Sequence, residues 1–266
     1  MRKNKFLLFL MILVFAPSAF ADNAPPPTLE QVLSLPGEAE PPLVSSDIRH
    51  QAIRDAWLIH GAQGGLARRT FEINKLLEAQ SDQLAEIFDI ESLTLKAPSG
   101  FLLLPPVIIE SEHTSDVDLD GQSAREIWRQ YRIEKPGRLV NLTPSWRSYL
   151  IREWDEAGLP PEVLHPRDKI EKKIAARAVV DGWDAGITQA EETFQNDLAL
   201  LERDVKGFIN YRELVERGLV DDLFVAASEP EIKQIGKTLE IGRRSVRITR
   251  PADFDLKGPW LPVLLP

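Results

Sequence analysis

Asp116, Asp118 and Asp120, closed by Gly121, spell D-x-D-x-D-G, the front half of a calcium-binding loop. Three carboxylates at alternate positions could converge on a hard cation if the glycine turned the backbone. The back half does not follow: Ile127 stands where a bidentate Glu belongs, and Glu126 comes one residue early. An acidic, solvated hairpin tip is the reading these flanks favour, with calcium as the alternative. Gly236-Lys237-Thr238 has the tail of a phosphate loop, but Glu231 occupies the place of its first glycine and Thr238 reads as the opening of a strand. A phosphate loop must lead into a helix whose N-terminal N–H groups hold the anion. His50, His60, His113 and His165 fall at no zinc spacing. There is no G-x-S-x-G elbow, and a chain without cysteine has no thiol nucleophile. These absences predict a protein that is not an enzyme and takes no cofactor. The rival is an enzyme whose site is assembled from distant residues, with acids around His60 or His165.

The elements that would position any such residues are dominated by helix. Between Asp168 and Arg217 there is no proline, and Trp183, Ile187, Ala190, Phe194, Leu198, Leu201, Val205 and Phe208 recur at steps of three or four, one apolar seam on one helix. Unbroken, the segment would reach about 75 Å, so it must bend or organise the rest of the fold around itself. Ser45 or Ser46 caps a second helix through Ile53, Trp57 and His60 towards Gly61, and helical spacing resumes at Leu66. Gly61, Gly64 and Gly65 each cost helix stability, roughly 1 kcal/mol relative to Ala. Their compensation is expected in a close crossing with a helix carrying Gly182 and Gly186.

Leu102 to Glu110 reads as extended and interrupted by Pro105 and Pro106, with Glu126 to Ile133 returning beside it. Thr143-Pro144 starts a helix through Trp146, Tyr149 and Trp154, ended by Gly158 to Pro161. Leu223 to Ala227, Thr238 to Ile241 and Ser245 to Thr249 read as strands, the last two joined at Gly242 and Arg243. The predicted class is α+β, mainly helical, with long amphipathic helices and a small antiparallel sheet.

Composition sets the setting. The chain has 266 residues, is 43% apolar and carries a net charge of −9. Arg2, Lys3 and Lys5, the apolar run Phe6 to Ala16 and then Ala19-Phe20-Ala21 predict a signal peptide cleaved after Ala21, because the run falls short of the roughly twenty residues a spanning helix needs. Cleavage removes three cations and no acid, leaving 29 Lys and Arg against 41 Asp and Glu, a net of −12. Direct nucleic-acid binding is therefore not expected. The densest basic group, Arg243, Arg244, Arg247 and Arg250, is expected to offset nearby carboxylates. Asp22 to Pro42 is proline-rich and reads as an extended linker. Trp57 and Trp183 read as core. Trp260, in the tail Gly258 to Pro266, reads as a partner contact, since an exposed apolar tail is a liability in water; a tail packed on its own domain is the alternative.

Four islands carry a family resemblance. Gly182 to Leu214, GWDAGITQAEETFQNDLALLERDVKGFINYREL, holds a GW-x-x-G-x-x-QA core, an LERD-x-x-G run and a YR-x-L close; GAQGGLARRTFEINKLLE (Gly61 to Glu78), LPPVIIE (Leu104 to Glu110) and TPSWRSYL (Thr143 to Leu150) accompany it in order. Together they resemble the DotC family, a component of the outer-membrane core of Dot/Icm type IVB secretion systems and related conjugation machines. The resemblance spans Ala52 to Thr249 with gaps. It implies a structural and assembly role in a multi-subunit ring, with DotD-like and DotH-like partners, and a periplasmic address at the outer membrane. DotC proteins are typically lipoproteins, whereas here Ala21 is followed by Asp22 and no lipobox cysteine is present. Attachment to the outer membrane through partners is thus the expectation. The residues matching the family pattern are Gly61, Gln63, Gly65, Arg68, Trp146, Arg147, Gly182, Trp183, Gly186, Arg203 and Arg212. The implied organisation is a signal peptide over 1–21, a Pro-rich linker over 22–44, a DotC-like domain over 45–256 and an apolar tail over 257–266.

Overall fold

The structure, a computed structural model, describes residues 25–34, 46–97, 100–117 and 124–260. The expected signal peptide, most of the expected linker, Asp118, Asp120, Gly121 and residues 261–266 lie outside that set. In chain order the described residues form α1 (Leu29–Val32), α2 (Ser46–Ala79), α3 (Ser81–Ile87), α4 (Ile90–Leu93), β1 (Leu95–Lys96), β2 (Leu102–Leu104), β3 (Val107–Val117), β4 (Ala124–Lys135), β5 (Arg138–Val140) and α5 (Trp146–Leu150). A 3-10 turn at Glu162–Leu164 precedes α6 (Lys169–Glu216), and the chain ends with β6 (Val220–Asp221), β7 (Phe224–Ala227), β8 (Glu231–Ile235), β9 (Thr238–Arg243), β10 (Val246–Arg250) and β11 (Asp253–Phe254). The class is α+β and mainly helical, as the periodicity predicts.

α6 is the frame. Its 48 residues run without a break, about 72 Å at 1.5 Å per residue. Asp168 starts it by accepting hydrogen bonds from the Ile170 and Glu171 N–H groups, both 2.8 Å. α2 lies beside its first half and points the same way: Arg49 meets Glu171, Gly65 meets Trp183 and Arg69 meets Glu191. α2 is one helix of 34 residues through Gly61 to Gly65, where the sequence suggested two stretches.

Parallel neighbours demand a long return path, and residues 151–168 supply it. This strap runs back along α2, with Arg152 at Asn74, Trp154 against Phe71, Gly158 at His60, and Val163, Leu164 and His165 at Arg49 and Trp57. The axial distance from Asn74 to Arg49 is about 38 Å, and the chain from Arg152 to His165 reaches about 43 Å when extended. The strap has room for the 3-10 turn at Glu162–Leu164 but is taut over its first half, where the six steps from Arg152 to Gly158 cover the about 21 Å from Asn74 to His60. That is why α5 stops at Leu150, with Ile151 already extended, and does not continue to Trp154 as expected. Pro160, Pro161 and Pro166 suit the strap by disfavouring helix.

Three apolar clusters follow one another along α6. The first joins Val32, Ile53, Trp57, Ala175, Val179 and Trp183. Thus part of the expected linker docks, because α1 inserts Val32 between the two helices. The second collects Leu104, Val107, Trp146, Leu150, Leu201 and Phe208, and the third Ile108, Tyr211, Leu214, Leu219 and Leu223. All strand pairs are antiparallel: β1-β2-β5 make three strands, and β3-β4, β6-β11, β7-β10 and β8-β9 are pairs. The expected hairpin at Gly242 is a correction. β9 folds back on β8 through a turn at Gly236, and β10 pairs with β7. Among the described residues no helix is long and apolar enough to cross a membrane.

Candidate functional site

The residues that carry the family pattern meet mainly along the α2–α6 contact. A Cβ built on Gly61 would strike the Val179 carbonyl oxygen, one on Gly65 that of Trp183, one on Gly182 that of Leu58 and one on Gly186 that of Ala62, each well inside the 3.0 Å that real Cβ atoms keep. Two G-x-x-x-G steps thus face each other, and each glycine presses on backbone. Such separation lets main chains touch and permits Cα–H···O contacts that any side chain would abolish. The Trp183 ring lies over Gly64 beside Val32, with 3.1 Å and 3.2 Å to a Cβ built there. Gly207, in the LERD-x-x-G run, gives β3 the same access at Val107 and Ile108.

Of the matching arginines, Arg147 and Arg212 tie separate elements together, while Arg68 and Arg203 make their shortest bonds within their own helices. Trp146 is buried, and the Arg147 guanidinium lies 4.4 Å above its ring while bonding Glu78 (2.6 Å) and Ser81 (2.8 Å). Arg203 bonds Asp204 at 2.8 Å, and Arg212 donates to the Ser92 carbonyl at 2.7 Å, holding α4 to α6. Arg68 pairs with Glu72 at 2.8 Å. Gln63 is exposed and lines a groove of about 570 Å³ with Ala67, Asn74, Arg152 and Trp154. Trp260 packs on its own body, the alternative the sequence left open, and stays half-buried there. It sits against Tyr131 and Phe254, ring centres 5.8 and 6.4 Å away, and donates to the Asp255 carbonyl.

Sequence reasoning missed the buried ions. Arg49 and Glu171 are 2.7 Å apart, and Arg49 also holds the strap carbonyls of Val163 and His165. The Arg49 hydrogen bond keeps the Glu171 carboxyl below the ordinary carboxylate range against the opposing effect of burial. Asp197 receives Arg152 at 2.7 Å. Asp204 accepts from Lys135 (2.6 Å), Tyr149 (3.1 Å) and Arg203. Burial works to raise Asp204, but these donors outweigh it and the net shift is downward. Burial, with the neighbouring Asp204 charge, pushes Tyr149 up to about 12. A signal existed: Asp197 and Asp204 sit seven residues apart, interleaved with Leu198, Leu201, Val205 and Phe208, so two acids occupy an apolar face.

Of the calcium triplet, only Asp116 lies among the described residues, with its backbone in β3 opposite Arg125. No group of three His, Asp or Glu side chains positioned to hold a metal occurs among the described residues.

Over residues 47–262 the chain matches the model of a family described as type IV secretory system, conjugal DNA-protein transfer. It belongs to that family. No curated protein matches the chain. Membership of the conjugal-transfer family makes this a type IV secretion, conjugation-related protein, one that works among the other subunits of such a system. The conjugal-transfer match spans α2 to β11, so it includes the helix pair, the strap and all three clusters.

Proposed function

We propose that this conjugal-transfer family protein is a DotC-like, non-enzymatic assembly subunit of an outer-membrane core complex, acting by presenting a rigid surface to DotH-like and DotD-like neighbours. The observation that carries the reading is that the residues shared with the DotC pattern are spent on rigidity. Gly61, Gly65, Gly182 and Gly186 bring two backbones into contact, and Arg147 and Arg212 tie flanking elements to them. A preorganised body loses little freedom on binding, which is what a docking component needs. After removal of a signal peptide at Ala21 the protein works in the periplasm, held at the outer membrane by its partners. Its acidic balance disfavours direct contact with transferred DNA.

The test is affinity capture of the tagged protein from gently solubilised membranes of its own host. DotH-like and DotD-like subunits should co-purify with it, and signal-peptide cleavage should appear in the mass of the recovered chain. A protein recovered alone from the periplasm of cells that assemble the system would refute the assembly role.

A further inference from the structure

The β8–β9 hairpin stands off the packed body. β7 and β10 pair as far as Ala227 and Val246, and the Ser228 N–H donates to the Ser245 carbonyl at 2.8 Å to close that ladder. Beyond this root the chain forms a separate two-stranded ribbon, turning at Gly236 with φ +59°. Ile232 opposes Ile241 and Gln234 opposes Leu239, so these four side chains share one face. Ile232, Leu239 and Ile241 are 71%, 59% and 74% exposed, and none joins the three clusters. The other face carries Lys233, Glu240 and Arg243, the last two bonded at 3.2 Å, with Ile235 as its one aliphatic side chain. A two-stranded ribbon is marginal in water, and an aliphatic strip gives it stability only when covered.

Charge selects the cover. Residues 228–250 carry Lys233, Lys237, Arg243, Arg244, Arg247 and Arg250, all exposed, against Glu229, Glu231 and Glu240, a net of +3. The whole chain carries −9, so the remainder is −12; Arg247 and Arg250 lie in β10 at the root, and the ribbon beyond it, with Lys233, Lys237, Arg243 and Arg244 against Glu229, Glu231 and Glu240, is net +1. We propose that the hairpin is a peripheral membrane contact, laying Ile232, Leu239 and Ile241 on an anionic phospholipid surface while the surrounding Lys and Arg meet headgroup phosphates. A flat aliphatic strip in a cationic surround requires no matching cavity, which suits a bilayer. The depth is limited by the backbone. The ribbon has two strands only, so both outer edges carry unpaired N–H and C=O groups that hydrocarbon cannot satisfy. The hairpin therefore lies at headgroup level and does not span. This contact is independent of the assembly role.

Flotation of the purified protein with vesicles tests it. The protein should float with an equal mixture of phosphatidylglycerol and phosphatidylcholine and stay behind with phosphatidylcholine alone. The triple variant Ile232→Ser/Leu239→Ser/Ile241→Ser should lose about tenfold or more in partitioning with an unchanged melting temperature, since these side chains lie outside the clusters. Lys233→Gln/Lys237→Gln keeps the strip and should bind more weakly, with a shallower salt dependence. Absence of flotation by the unsubstituted protein would overturn the proposal. So would undiminished flotation of the triple variant, which would make the attraction electrostatic alone. Loss of a dimer on the triple substitution, read by sedimentation without any vesicle binding, would show instead that a second copy covers the face.

Discussion

Arg49, Glu171 and His60 set how the strap responds to acid. The His60 ring is buried beside Trp57, with Nδ1 3.0 Å from the Gly158 carbonyl oxygen. Burial lowers its pKa and the carbonyl contact only partly offsets this. With the folded value below the ordinary one of about 6.5, the unfolded chain takes the extra proton first. Its contribution is therefore present above that ordinary value and is lost as pH falls through the folded value. Glu171 and Asp204, also lowered, act in a second, more acidic window: their stabilisation is complete above the ordinary carboxyl values, 4.5 and 3.8, and is lost as pH falls from there through the lower folded values. Urea midpoints measured from pH 7.5 to 3 should fall in two stages, and His60→Gln should flatten the first while leaving the second. A first stage unaltered in His60→Gln would remove this histidine from the account. The glycines of the helix crossing were legible from their spacing and Arg147 and Arg212 through the family resemblance, whereas Arg49 was not singled out. Of the three acids buried among the described residues, Asp197 and Asp204 left a trace in their place on the apolar face, whereas Glu171 looks like any other of the 41 carboxylates until burial singles it out.

The helix crossing makes an element-level prediction. Gly186→Ala or Gly182→Ala drives a methyl into backbone, which cannot rotate away, so the helices must separate along the whole packed stretch. Each should cost about 1–3 kcal/mol or more, read as a lowered urea midpoint. Gly158→Ala is the control: a Cβ there meets nothing within 4 Å, and its effect should stay within about 0.5 kcal/mol. Equal effects at Gly186 and Gly158 would rule out the close contact. Elements were read from the chain where periodicity is long, as in α6, and misread where tertiary demands override it. α5 ends early because the strap must be extended from Ile151 onward. β8 went unseen because Glu231–Ile235 offers only Ile232 and Ile235 as apolar residues, three apart, which is no strand alternation.

At the scale of the molecule, one helix threads all three clusters, so none can loosen without exposing its neighbour. Trp260→Ala should lower stability by roughly 1–3 kcal/mol through the third cluster. It should shift a single unfolding transition, followed by tryptophan fluorescence and circular dichroism together, with no separate early step. Two resolved transitions would mean that the C-terminal strands fold apart from the helix pair.

By itself the sequence determined the helical class, the existence and length of the α6 seam, the small residues that allow a close crossing and the acidic balance, all of which follow from residue type and local spacing. Tertiary structure alone decided that α2 and α6 run parallel, that residues 151–168 must stretch back between their ends, and that Trp260 rests on Tyr131 and Phe254. It also decided which of many carboxylates lose their water. Direction, reach and burial are properties of how distant segments share space, and no local pattern encodes them.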